Sequence, residues 1–402
     1  MKINKRISRF LPYSRQSIDK KDVSEVNKVL KKDFITQGPK INEFEKNFAK
    51  YVGAKYAVAC ATGTAALHMA CQSLNLSNKG NLLTSPITFV ASANCAQFIG
   101  ADTHFSDIDL DNYCISPYSL EKTLKKKHID IVVVVHMSGH SADMKRINAL
   151  RKKYDFKIIE DACHALGGSY KNKRIGSCFY SDISTFSFHP VKPITTGEGG
   201  MVTTNDKKIY NNLLKFRTHG IHKNKQDFYN KDMAYDEIGN INQWYYEMSD
   251  LGYNYRITDI QSALGISQLK KIDKFIKARR KIAKAYDYGF SKNKFIKTPK
   301  VNKNVKHAYH LYTLLIDFKK IKKSRNEIMK KLKDLNIGTQ VLYIPVHLQP
   351  YYLKKYNFKK GDFPNSEIYY ESCLSIPIFP GISKKEINFV VEKINNLIII
   401  RN

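Results

Sequence analysis

DIVVVVHMSGHSADMKRINALRKKYDFKIIED, residues 130–161, carries two short apolar runs on either side of a helical segment. DIVVVVH (130–136) and FKIIED (156–161) lack the polar alternation of a half-exposed strand, so both faces of each are expected to be buried, as in a parallel sheet. Between them DMKRINALRKKY (143–154) has the texture of a surface helix. Parallel neighbours need a crossover connection, and a helix of this length supplies one in the right-handed sense. The stretch therefore reads as one strand–helix–strand turn of a doubly wound α/β fold.

Upstream, the same unit repeats. KYAVAC (55–60), NLLTS (81–85) and DTHFSDI (102–108) read as strands, each followed by a helix at TAALHMACQSL (64–74), VASANCAQFIG (90–100) and SPYSLEKTLKK (116–126). Before them, residues 19–32 are predicted to form an amphipathic helix opened by Asp19, with Val23, Val26, Val29 and Leu30 at helical spacing. FITQGPK (34–40) is a loop with Gly-Pro punctuation, and Ile41 to Val52 a second helix. A mostly parallel sheet thus accounts for residues of about 20–265. From about residue 280 short strands such as YHLYTLLID (309–317) mix with helices at 324–335 and 383–397, the pattern of a smaller α+β domain. The expected division is 1–270 and 271–402, in keeping with a 402-residue chain that is 43% hydrophobic.

Composition excludes more than it assigns. No stretch approaches the roughly 18 apolar residues of a membrane helix; Ile129 to Val135 and Leu397 to Ile400 are too short. The basic opening MKINKRISRFLPYSRQ has no apolar core, so no signal peptide is read and a cytoplasmic protein is expected. Seven scattered cysteines without a CxxC pair read as reduced, buried thiols. The formal charge of +31 is spread along the chain with no recognition motif, which argues against nucleic-acid binding. The same field would attract anionic small molecules such as nucleotide sugars.

In a doubly wound sheet ligands gather at the carboxyl ends of the strands, and several reactive groups fall there. Thr62, Gly63 and Thr64 in ATGT (61–64) would bring hydroxyls and backbone N–H groups to a helix N-terminus, a cup for phosphate; an ordinary helix cap would use the same residues. Asp161 closes a buried strand, where a carboxylate needs a cationic partner such as a protonated pyridine nitrogen; His164 follows within reach of the same ring. Lys192 lies between Val191 and Pro193, close after Pro190, on a turn that cannot enter a helix interior. Glycines 197, 199 and 200 let backbone approach a ligand there. A lysine in a dry pocket can form an imine with a cofactor aldehyde. Phe89 could stack on an aromatic ring or simply belong to the core. GEGG is not GxGxxG, which disfavours a dinucleotide, and His136 with His140 sit on a strand end and loop rather than a helix, which disfavours zinc.

Asp161 with His164, Lys192 within SFHPVKPITTGEGG (187–200), and LGYNYRITDIQSALGISQL (251–269) together resemble the sugar aminotransferases of the DegT/DnrJ/EryC1/StrS family, over nearly the whole chain. The resemblance implies the fold-type I architecture of pyridoxal-5′-phosphate-dependent aminotransferases and a homodimer with shared sites; no metal is expected, given the placement of His136 and His140 on a strand end and loop. By that resemblance Lys192 is the Schiff-base lysine, Asp161 the partner of the pyridine nitrogen, and His164 the group near the ring hydroxyl. Phe89 is the stacking aromatic; Thr62, Gly63, Thr64 and Ser187 meet the phosphate and active site; Asn254 is lent to the neighbour's phosphate. ATGT replaces the SGT of many relatives, and Thr62 keeps the hydroxyl. The opening LPYSRQSIDKKDV…DFITQGPKINEFEK and the HPVKPITTGEGG stretch (189–200) are most similar to the branch that makes UDP-4-amino-4,6-dideoxy-N-acetyl-β-L-altrosamine for pseudaminic acid synthesis. The implied substrates are a UDP-4-keto-6-deoxy sugar and L-glutamate. Tyr13, Asp33, Phe34, Ile35, Thr36, Gln340, Tyr343 and His347 are implied to face the sugar nucleotide. Perosamine- or bacillosamine-type transamination and a cofactor-binding regulator are the alternatives. Sugar 3-dehydration, which relatives perform with histidine in place of the lysine, is disfavoured by Lys192.

Overall fold

A computed structural model describes residues 7–399; part of the basic opening and Ile400 lie outside the described residues. The chain begins with α1 (Lys20–Leu30) and α2 (Pro39–Val52), then alternates β1 (Tyr56–Cys60), α3 (Gly63–Ser73), β2 (Asn81–Thr84), α4 (Ala91–Gln97), β3 (Asp102–Phe105), α5 (Pro117–Leu124), β4 (Ile131–Val135), α6 (Met144–Tyr154) and β5 (Lys157–Asp161). A hairpin, β6 (Ser169–Tyr170) and β7 (Lys173–Arg174), precedes β8 (Ile183–Ser187) and β9 (Gly200–Thr204). The element boundaries follow local chemistry. Asp19 closes a capping box on α1, Thr62 and Asp143 cap α3 and α6, Pro39 opens α2 at a position needing no N–H, and Gly53 at φ +82° ends it.

The main sheet has seven strands in the order β1-β9-β8-β5-β4-β2-β3. All contacts from β8 to β3 are parallel, and β9 runs antiparallel to both β8 and β1. All five residues of β4 are buried, as its unbroken valine run demands. The strand series legible in the sequence ends at FKIIED (156–161), but two further strands continue the sheet. These, β8 and β9, flank residues 188–199, and Phe186 and Phe188 pack on Phe48 and Phe44 of α2 with ring centroids 5.0 and 5.3 Å apart. That aromatic cluster anchors the entry to the Lys192 loop.

After β9 come α7 (Lys207–Arg217), β10 (Ile221–His222), α8 (Lys231–Ala234), β11 (Glu247–Met248), α9 (Asp259–Leu269) and α10 (Ile272–Phe290). The remainder is β12 (Ile296–Lys297), β13 (Val305–Lys306), β14 (Tyr312–Ile316), α11 (Arg325–Asp334), α12 (Pro350–Tyr356), α13 (Pro364–Ser372), β15 (Cys373–Ile376) and α14 (Lys384–Leu397). β12, β14 and β15 form a small antiparallel sheet with its own apolar core, into which Leu11 from the start of the chain also packs. No described helix is long and apolar enough to cross a membrane.

The apolar stripe expected on α1 is split: Val29 is buried and Val26 half-buried, whereas Val23 and Leu30 turn to solvent. Asp22 and Val29 are its buried residues, while Val23 and Leu30 are 52% and 55% exposed. Asp22 is held by Lys271 and by Gln268 Nε2 at 2.8 Å, so the inner face of this helix is fixed by an ion pair with buried Asp22 together with Val29.

Candidate active site

The carboxyl ends of the parallel strands open onto one cavity of about 440 Å³. Thr62, Gly63 and Thr64 after β1, Phe89 after β2, Asp161 and His164 at the end of β5, Ser187 at the end of β8, and Lys192 all line it, as do Tyr13 and Tyr343.

The phosphate cup owes its shape to close backbone approach. A Cβ on Gly63 would lie 2.7 Å from Ser187 Cβ, and one on Gly200 would lie 2.2 Å from the Thr62 carbonyl oxygen. Glycine at both positions lets the start of α3 touch the end of β8 and the start of β9. Thr62 Oγ1 accepts from Ala65 N at 3.0 Å, so its hydroxyl does cap the helix. The N–H groups of Gly63 and Thr64, in the first turn, have no intrahelical acceptor and remain for an anion.

Lys192 sits on a stapled loop. Its N–H donates to His189 O at 2.9 Å, Ser14 Oγ donates to Val191 O at 2.9 Å, and Thr195 Oγ1 and Thr196 N both donate to Phe188 O. None of these bonds uses the lysine side chain. Burial pushes the Lys192 amine below its ordinary value, against the opposing pull of Cys163 and Asp161.

Asp161 is 7% exposed; its Oδ1 accepts from Cys163 N at 3.1 Å and its Oδ2 from Ser92 Oγ at 2.6 Å. His164 Nε2 lies 3.2 Å from the Tyr343 hydroxyl, while its buried Nδ1 has no partner among the described residues. The His310 ring sits behind, with centroids 4.4 Å apart. Burial holds His164 well below the usual imidazole range, with Lys192 adding to the effect; the same holds for His310. Both rings are therefore neutral at ordinary pH. Burial raises the Tyr343 phenol, which stays protonated.

Several expected residues are not brought to this cavity within one chain. Asp33, Phe34, Ile35, Thr36 and Gln340 are exposed and away from its walls. The 35–40 segment is tied to the start of α9, where buried Asp259 accepts from Gly38 N and Lys40 N at 2.7 and 2.8 Å. Asn254 is exposed, its backbone bridged to Thr218. His347 corrects the expectation that it faces the sugar. It is fully buried, lies 3.3 Å from Glu367, and is enclosed by Phe105, Phe358 and Phe363. His136 donates through Nε2 to Glu160 at 2.6 Å, because its Nδ1 accepts from Ala142 N. His140 is bonded at both nitrogens, to Ser141 O and Asn302 N. These two rings tie strand ends and loops together.

Sequence reasoning missed Ser92, Thr88, Cys163 and His310. Ser92 and Thr88 lie beside Phe89, in a segment where only the aromatic carried a visible signal. His310 stood inside what read as an ordinary strand.

Residues 16–395 match the model of the DegT/DnrJ/EryC1/StrS aminotransferase family. The chain is 38% identical over 390 residues to the spore coat polysaccharide biosynthesis protein SpsC of Bacillus subtilis, spanning 97% of each chain. It is 37% identical over 390 residues to the UDP-4-amino-4,6-dideoxy-N-acetyl-beta-L-altrosamine transaminase of Campylobacter jejuni, spanning 96% of this chain and 97% of that one. Among solved structures, Helicobacter pylori PseC, an aminotransferase involved in the biosynthesis of pseudoaminic acid, matches with a TM-score of 0.87 and 30% identity, over 97% of this chain and 99% of that one.

Proposed function

This chain belongs to the DegT/DnrJ/EryC1/StrS aminotransferase family, and from that membership we propose that it moves an amino group from L-glutamate to C4 of a UDP-linked 4-keto-6-deoxy-N-acetylhexosamine. The product would be a UDP-4-amino-4,6-dideoxy sugar for pseudaminic acid-type glycans. Family members are sugar aminotransferases of the fold-type I class and use pyridoxal 5′-phosphate. When bound, that cofactor supplies an electron sink that stabilises negative charge on the carbon losing a proton.

The observation that carries the reading is the convergence of Lys192, Asp161, His164 and the first turn of α3 on one cavity. These residues fit the cofactor. The open N–H groups of Gly63 and Thr64, with Ser187, suit its phosphate. Asp161 suits a cationic ring nitrogen, His164 on the same wall the ring hydroxyl, and Phe89 the ring face. Lys192 would hold the cofactor and, once released, take a proton at Nζ and return it to the neighbouring carbon. Its depressed basicity suits both tasks, because an amine that is neutral nearer to neutral pH is both nucleophile and base.

The acceptor is read from charge and from relatives. A formal charge of +31 favours an anionic nucleotide sugar, and the Campylobacter relative is named for a UDP-linked one. Tyr13 and Tyr343 line the cavity wall, which supports assigning them to the sugar. A panel of UDP- and GDP-linked 4-keto sugars with glutamate, scored by 2-oxoglutarate release, tests the preference. We expect at least tenfold faster turnover with the UDP-linked N-acetylated sugar, a margin of about 1.4 kcal/mol. Faster turnover with a GDP-linked sugar would move the assignment to the perosamine type.

A homodimer with shared sites is part of the reading. Val23, Leu30, Phe34 and Ile35 face solvent in the single chain, as do Trp244 and Leu251 in the stretch before α9. A second copy related by a two-fold axis would cover them and bring each exposed Asn254 toward the other site.

A further inference from the structure

We propose that Ser92, backed by Thr88, is a positioning residue that aims the Asp161 carboxylate at the ring nitrogen of the cofactor. The inference rests on the reading of Asp161 as that nitrogen's partner.

Three buried groups form a chain: Thr88 Oγ1 lies 2.7 Å from Ser92 Oγ, and Ser92 Oγ lies 2.6 Å from Asp161 Oδ2. Thr88, Ser92 and Asp161 are 2%, 1% and 7% exposed, so no bulk water competes for these bonds. Proton bookkeeping fixes their direction. An ionised carboxylate only accepts, so the single hydroxyl proton of Ser92 goes to Asp161. Ser92 Oγ then accepts from Thr88. Each hydroxyl polarises the next, which strengthens the bond at the carboxylate end.

A serine in the first turn of a helix ordinarily serves the helix's own backbone. Here the N-cap of α4 is Val90, with no side-chain cap bond, and Ser92 is spent on a residue 69 positions away. With Cys163 N on Oδ1, the two donors hold both carboxylate oxygens and fix the rotation of the group. A carboxylate has about four lone-pair sites, so these two bonds leave room for a third, cationic donor from the cavity. All three side chains line that cavity, and Phe89 is the next residue after Thr88. One short segment therefore carries the aromatic on the ring face and the hydroxyls that orient the ring's counter-charge.

The test uses purified holoenzyme of the wild type, Ser92→Ala, Ser92→Thr, Thr88→Val and Asp161→Asn. The readouts are the pH titration of the bound yellow chromophore, the stopped-flow rate of its bleaching by glutamate, and thermal melting. Ser92→Ala should shift the titration in the same direction as Asp161→Asn and slow bleaching roughly ten- to hundredfold, the range for losing one hydrogen bond to a charged group. Ser92→Thr, which restores the hydroxyl, should return both readouts to near wild type. The near-isosteric Thr88→Val should give a smaller shift of the same sign. Should threonine overpack the site and lower the melting temperature, Thr88→Val decides. If Asp161→Asn shifts the titration while Ser92→Ala and Thr88→Val follow the wild type, the hydroxyls only fill space and the proposal is wrong. If Asp161→Asn itself titrates as wild type, the reading of Asp161 falls and the proposal with it.

Discussion

Lys192→Ala should yield a folded protein that neither forms the yellow lysine-bound chromophore nor turns over. The loop around it is held by Ser14, Thr195, Thr196 and backbone bonds, none involving the lysine side chain, so its melting temperature should stay close to wild type. General acid–base catalysis alone contributes about 10²–10⁴-fold. Removing it together with the covalent anchor should lower kcat by roughly 10⁴-fold or more. Part of the rate should return with an added small primary amine, which replaces the base but not its tether. Reconstitution of the apoenzyme carries the matching pH signature. An amine is reactive when neutral, and burial lowers the Lys192 value, so cofactor capture should reach its plateau below the pH that titrates a free lysine, about 10.4. A Lys192→Ala enzyme with wild-type colour and rate would remove the lysine from the mechanism.

Mixing two inactive variants, Lys192→Ala and Asn254→Ala, should restore activity. If Asn254 serves the partner's site, a mixed dimer holds one site with both lesions and one with neither. Random reassortment makes about half of the dimers mixed, each with one working site of two, so about a quarter of wild-type activity should return. The assay is run at limiting cofactor, because losing one contact to a phosphate weakens binding by roughly 1.5–3 kcal/mol without unfolding the chain. The geometry supports this design. Asn254 is exposed and off its own cavity, yet the segment around it is rigid: Tyr253 N donates to Phe216 O, Tyr255 N to Arg217 O, and Ala61 N to Tyr255 O. If each site draws both residues from one chain, every site in the mixture carries a lesion and no activity returns.

The strands and helices around residues 55–161 were legible because parallel strands buried on both faces leave unbroken apolar runs, and crossovers leave helical ones between them. The antiparallel β9 was not, since GMVTT looks the same whichever way the strand runs; direction is set by its pairing with β8 and β1. That Lys192 and Asp161 come to one cavity was legible because a lysine among prolines and an acid at the end of a buried strand are costly to place without a partner. Ser92 and His310 were not, because a serine in a helix and a histidine near a strand are ordinary, and only distance reveals what they touch. His347 misled for the opposite reason. A histidine in a loop beside Tyr343 invites a ligand, whereas here Glu367 and three phenylalanines enclose it. Val23 and Leu30 showed helical spacing, but spacing alone does not say whether an apolar face meets its own chain or another.

The most direct test of the central claim is to follow the amino group itself. The holoenzyme is incubated with ¹⁵N-glutamate and a UDP-4-keto-6-deoxy-N-acetylhexosamine, and the sugar product is examined by NMR. The account predicts one ¹⁵N bonded at C4, with one 2-oxoglutarate formed per amino sugar. A protein that bleaches with glutamate yet leaves C4 of the sugar unlabelled, or that loses a sugar hydroxyl without gaining nitrogen, would contradict it.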